Sequence, residues 1–422
     1  MQKHIFGIAI LCFLLSSCCE DAAWVLIDEA LPEGEPKPCD ATNATPYLSS
    51  FAIGNGTYLQ PVHASKDAVA VCITQDGLAW YDFQAQKFLA ETASAVAQKA
   101  FSYPTNIHTN GKLVCSASAT GIAVLDMEAQ KLVWARSLPD CTLDGRSFTG
   151  VGSKYFAVGK VMDADNKTHD AIYAGNMESS EDFGLLITPQ YSRQVSSFWC
   201  GFGGVKDIKA FAGVDAEAYL LISFFEPVDQ YNILNYVGLY NVTSQSWVYE
   251  RVPLSQVPSG FAAHMSLAAG IARFPLGDSL FIWNVMAGSS TATLRLPMGN
   301  YGQNLKGHEI WSSDRYTLIK TSENEILAYD NQSNSLRYRT SKIIGYHVSV
   351  NFDQNLILVP NSNGCQVFKL STGSELLTIQ SPCENDAKAG FTEAVVCWSG
   401  NNGMTQIALN SETRSYLYEI KQ

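Results

Sequence analysis

A chain of 422 residues with a formal charge of −12 and no cluster of Lys and Arg has nothing with which to neutralise phosphates, which sets nucleic-acid binding aside. Charged residues make up only 16% and aromatics 11%, and no long helical periodicity runs between Tyr47 and Gln422, as expected of an exported protein rich in β structure. The length exceeds a usual single core, so an all-β chain of this size must grow by adding repeats around a centre.

At the start, Lys3 precedes an apolar run from Ile5 to Leu15, far shorter than the roughly 20 residues a membrane span needs. Residues 1–17 therefore read as a signal peptide. Leu15-Ser16-Ser17-Cys18 resembles the bacterial lipobox, in which small residues admit the peptidase and the cysteine thiol is acylated, with palmitate among the acyl chains. Cys19 fits worse, because Ser16 would then stand where the leucine belongs, and the plain alternative is an ordinary secretory signal cut nearby. Glu20-Asp21 resembles the acidic tether of surface-directed bacterial lipoproteins. Residues 18–46 read as a lipidated flexible tether, proline-rich and acidic from Leu31 to Pro38, and residues 47–422 as the folded domain. Within the tether, Trp24-Val25-Leu26-Ile27 is apolar enough to be a strand that pairs with the end of the chain.

The stretch from Gly111 to Asp140 reads as three antiparallel strands, Leu113 to Ser118, Gly121 to Met127 and Lys131 to Leu138, parted by short turns. Asp67 to Thr74 with Leu78 to Phe83, and Asn355 to Pro360 with Gln366 to Leu370, supply comparable strand pairs in other units. The run from Val124 to Trp134 holds an acidic residue, a tight reversal and an aromatic at fixed offsets, and degenerate copies anchor at Asp82, Asp126, Asn176, Asn241, Asn284, Asp330, Lys369 and Asn410. Tyr338 follows Asp330 as its aromatic, Tyr418 follows Asn410, and Trp247 follows Asn241 at an offset of six; the unit from Gly270 to Met298 has none. The first and last anchors are 328 residues apart over seven intervals, about 47 per unit. Eight such units fit residues 47–422, so the expectation is an eight-bladed β-propeller of four-stranded antiparallel blades, with seven blades as the alternative.

These eleven-residue copies resemble the A-x-D-x-x-T-G-x-x-x-W pattern of PQQ-like, quinoprotein-type β-propeller repeats. In that pattern the acidic or amide residue closes the turn and the aromatic docks between blades. With the lipid anchor, the resemblance extends to the propeller lipoprotein subunit of the outer-membrane β-barrel assembly machinery, and implies a scaffold with no catalytic role, no cofactor and no bound metal, attached to the outer membrane on its periplasmic side or at the cell surface. Its partners would be envelope proteins. A surface or periplasmic protein that binds glycan or another ligand is the alternative. A PQQ-dependent dehydrogenase is a remote third, since that family needs vicinal cysteines within the propeller and the vicinal pair here, Cys18-Cys19, is in the tether.

Of eleven cysteines, nine lie outside the signal and lipid sites, so at least one is unpaired. Cys141 with Cys200 and Cys365 with Cys397 are candidate bridges, whereas Cys72 and Cys115 sit in apolar strands as buried thiols. Five histidines, His63, His108, His264, His308 and His347, precede their anchors by 18 to 22 residues, near the innermost strand at one channel mouth. They read as repeated structural residues that bond the blade junction, much as Gly-His does in WD40-like repeats, or else as a partial ring that binds a metal or an anion. Asp163 to Lys167 begins like a calcium loop but lacks its third oxygen ligand, and Gly201 to Gly204 lacks the lysine of a phosphate loop. The units anchored at Asn176 and Asn241 are long, at 50 and 65 residues, which places extra chain on one sector. In the second of them, Phe224 to Tyr231 reads as an apolar hairpin tip, where Phe225 and Tyr231 would anchor a protein partner unless they belong to the blade core.

Overall fold

Blade 2 shows how the repeat folds. Its strands are Ile107–Thr109, Leu113–Ser118, Gly121–Asp126 and Lys131–Ser137, paired antiparallel in that order. The second and third are buried along their whole length, which is why they read as continuous apolar runs, and the fourth alternates because one face meets solvent. This computed structural model describes residues 45–421 apart from 53–59, 65–68, 75–76, 83–84, 86, 102–106, 139–141, 163–167, 189–203, 215, 229–231, 259–264, 277–278, 297–308, 322–323, 341–342, 344–347, 385–386, 389–392, 400–403 and 412–413. The strand expected at Trp24 to Ile27 lies outside the described residues.

The chain forms an all-β propeller with eight four-stranded antiparallel sheets. Seven are built from consecutive strands; the eighth is composite, with Glu393–Ser399, Met404–Asn410 and Arg414–Lys421 completed at the outer edge by Ser49–Ala52. Leu48 N donates to Leu417 O at 2.8 Å, Arg414 Nη2 donates to Ser50 Oγ at 2.8 Å, and the Tyr47 ring stands edge-on to Tyr416 at 5.1 Å. First strands of neighbouring blades pack on one another around the centre, and among the described residues clusters of buried side chains fill the successive junctions from blade 1 to the composite blade. Besides the strands, the described residues include one short helix, Ala95–Phe101, packed under blade 2, with Ser116 Oγ donating to Ala100 O at 2.6 Å.

The anchors close the turn after the third strand, as their chemistry predicts. Asp82 Oδ1 accepts from Ala85 N at 2.8 Å, Asp126 Oδ1 from Ala129 N at 2.8 Å, Asn284 Oδ1 from Ala287 N at 3.0 Å, and Asn241 and Asp330 each accept from two backbone N–H groups. Four residues past the anchor the backbone turns left-handed, at Gln130 (φ 50°), Gln245 (52°), Gly288 (61°), Asn334 (50°) and Gly373 (68°). A one-residue bulge follows in each pairing, the device that matches such a hairpin to the twist of its strands. Asn410 is the exception. It ends the second strand of the composite blade, so its turn joins the second and third strands, and Tyr418 is a core residue and not a docking one.

The docking aromatics sit eight residues past the anchor in alternate blades. Trp134 Nε1 donates to Met177 O of blade 3 at 2.9 Å, Tyr249 OH to Val285 O of blade 5 at 2.8 Å, and Tyr338 OH to Leu370 O of blade 7. Each acceptor is the residue after the next blade's anchor. Tyr249, not Trp247, therefore docks blade 4; Trp247 packs edge-on to Tyr240 within it. A Cβ at Gly373 would lie 2.2 Å from the Tyr338 ring, so glycine there serves both the left-handed backbone and the approach of the aromatic.

Candidate protein-interaction surface

Blades 3 and 4 stand apart by strand length. Their third strands, Thr168–Asn176 and Asn232–Asn241, hold 9 and 10 residues, against 6 in Gly121–Asp126 and 6 in Ser279–Asn284 on either side. The anchor ends of these strands are equivalent, so the surplus projects at the opposite end, where second and third strands join. At about 3.3 Å per residue the two hairpins rise roughly 10 Å above their neighbours. The long units seen in the sequence are thus extended strands as well as loops.

The extra length is held by buried charge. Asp170 of blade 3 pairs with Lys160 and accepts from Val205 N of blade 4 at 2.7 Å. Asp207 of blade 4 pairs with Lys209 at 3.1 Å and accepts from Met265 N, at the start of blade 5, at 3.0 Å. Glu226, 2% exposed, meets Arg251 Nη1 at 2.6 Å, and the Arg251 guanidinium lies over the Tyr236 ring at 5.8 Å. Asp170 and Asp207 bind blade to blade, and Glu226 ties the second strand of blade 4 to its fourth. Loops between the strands are consequently carried on a rigid base, as binding loops in other folds are.

Phe224 and Phe225 fall inside the strand Ala218–Pro227 and not at its tip. Phe224 is buried at the junction of blades 3 and 4, and Phe225 is half-buried against the core shared by blades 4 and 5, with its ring over Gly204. Tyr231 lies outside the described residues, as do Asp163 to Lys167.

His63 lies on the first strand of blade 1, opposite Val71. His108, on the first strand of blade 2, places Nε2 2.9 Å from Gly152 O of blade 3, and a Cβ at Gly150 would be 2.1 Å from its ring. Burial pushes the His108 pKa down, while the Gly152 carbonyl works in the opposite sense. His264, His308 and His347 lie outside the described residues, and among the described residues no three metal-binding side chains come together. Cys72, Cys115 and Cys365 are buried, and Cys365 is a thiol outside any disulfide, which corrects the candidate bridge from Cys365 to Cys397. Burial pushes the Cys365 thiol up to about 12 and Cys115 well above its ordinary value, so neither forms a thiolate near neutrality. Cys141 and Cys200 lie outside the described residues.

No family model and no curated protein matches this chain. Solved structures do. BamB from Moraxella catarrhalis is similar at a TM-score of 0.52 and 12% identity over 89% of this chain and 99% of its own. Sqt1 from Saccharomyces cerevisiae gives 0.56 and 13% over 90% and 100%, and the computationally designed Ika8 protein gives 0.51 and 10% over 87% and 98%. Matches run to 1001 chains, so likeness at this level identifies the propeller fold and selects no function.

Proposed function

We propose that the protein is a non-catalytic envelope scaffold, anchored in the outer membrane by lipid on Cys18, that binds a protein partner through the raised sector of blades 3 and 4. The observation that carries this reading is the pair of hairpins extended on one side of an otherwise regular ring and stiffened by buried ion pairs. Two supports stand beside it. The lipobox resemblance supplies an anchor at the N terminus, and no helix among the described residues is long and apolar enough to cross a membrane. The similarity of fold to BamB agrees with a place in outer-membrane protein assembly, which the PQQ-like repeats and lipid anchor suggested from sequence.

Tyr231, in the segment joining the raised strands of blade 4, is proposed as a contact, while Phe225 serves the packing of the blade. Tyr231→Ala is expected to reduce capture of the envelope partner at least tenfold by cross-linking pull-down, with Tm unchanged. Phe225→Ala lowers Tm by several degrees through lost packing. Unaltered capture by the Tyr231→Ala protein would remove this sector's hairpin from the interface.

A further inference from the structure

The junction of blades 5 and 6 holds a charge that the described residues do not balance. Arg273 lies in the strand Ile271–Leu276 and is 4% exposed. Alternation along that strand sends Ala272, Phe274 and Leu276 into the core shared with blade 4, and sends Arg273 toward blade 6 with its cross-strand neighbours Ser266 and Ile282. Among the described residues its guanidinium donates only from Nη1 to Ile271 O, at 3.4 Å, and no carboxylate pairs with it. The segments that join blade 5 to its neighbours, 259–264 and 297–308, contain no Asp or Glu. Desolvation alone lowers the Arg273 pKa to about 10, which leaves it a cation at neutral pH.

Blade 6 faces it with Ser312, Thr317 and Tyr329, cross-strand neighbours on one face. Ser312 Oγ lies 2.6 Å from Ser266 Oγ and 3.1 Å from Thr317 Oγ1, which fixes that face toward blade 5. The Tyr329 hydroxyl is buried with no hydrogen-bond partner among the described residues, and burial pushes its pKa up to about 12, so it remains a donor. The Arg339 guanidinium near Tyr329 is already paired with Glu325 at 3.3 Å, whereas an interior that buries the Arg273 guanidinium with spare N–H groups, an orphaned phenol and facing hydroxyls is complementary to negative charge.

We propose that the junction of blades 5 and 6 binds one small oxyanion, phosphate or carboxylate, gripped by the Arg273 guanidinium with the Tyr329 hydroxyl and the Ser266–Ser312 pair as further donors. The planar fork of arginine matches two oxygens of either group. Ser266 and Ser312 lie on the innermost strands, so the anion reaches the site from the central channel. The site is independent of the raised sector.

The test is calorimetric titration and thermal unfolding of the wild-type protein with inorganic phosphate, acetate or chloride at matched ionic strength. Saturable binding of phosphate or acetate, with a Tm rise of about 2 °C or more that chloride does not reproduce, is expected, and the more effective anion identifies the source. Arg273→Met removes the response, Tyr329→Phe weakens affinity about tenfold, and Arg273→Lys, which keeps charge without the fork, weakens it at least as much. Absence of binding heat and equal Tm in all three salts would overturn the proposal. So would wild-type affinity in Arg273→Met, or in Arg273→Lys should the methionine variant not fold.

Discussion

Arg251→Ala is expected to lower stability by about 3 kcal/mol, more than any other single truncation on the raised sector, because it leaves the Glu226 carboxylate inside the blade without its guanidinium. Glu226→Leu combined with Arg251→Met exchanges the pair for apolar groups of similar size and is expected to recover most of the loss, since a buried ion pair contributes little beyond what apolar packing gives. Urea unfolding of the three proteins separates these cases. A single variant no less stable than wild type would show that Glu226 is solvated and that the base of blade 4 is not fixed by this pair.

Removal of residues 47–52 is the second large effect. The composite blade would lose its outer strand, the hydrogen bonds from Leu48 and Arg414, and the Tyr47 ring against Tyr416. At about 1 kcal/mol net for each hydrogen bond, the ladder is worth roughly 4 kcal/mol. Its absence also opens a sheet edge along Arg414–Leu417. Amide exchange in Arg414–Leu417 is therefore expected to accelerate by orders of magnitude while blades 3 and 4 keep their protection. Unchanged exchange in that strand would mean that the ring closes without the N-terminal strand.

The closing strand marks the limit of what the sequence discloses. Leu113–Ser118 is legible to the residue, and the boundaries of its two partners to within one, because a strand buried on both faces must be continuously apolar and its turn must carry Asp, Asn or Gly. Counting anchors leads to eight blades even though Asn410 is one strand out of register. A ladder has no local signal for which terminus supplies its fourth strand, and Ser49–Ala52 is too short to announce itself.

Blade 4 shows a second limit. Trp247 looked like the docking residue by type, but the bulge after Gln245 puts Tyr249 at the blade junction, and side-chain direction after a bulge follows geometry that composition does not encode. Phe224 to Tyr231 looked like a tip because aromatics next to Pro227 suggest a strand end; the pairing instead runs through Pro227 to Ile233. Of the raised sector, the sequence disclosed only the surplus length. Asp170 and Asp207 act on backbone groups 35 and 58 residues away, and such partners become visible only once adjacent blades are in place.

Whether the sector of blades 3 and 4 carries partner binding is decided by site-specific photocross-linking in the native envelope. A photoreactive residue would replace Val161 on the raised second strand of blade 3 or Val228 just past that of blade 4, or Leu336 or Leu376 on the outer strands of blades 6 and 7. One discrete adduct of the same mass is expected from positions 161 and 228, and none from 336 and 376. Adducts from 336 and 376 alone, or from none of the four, would contradict it.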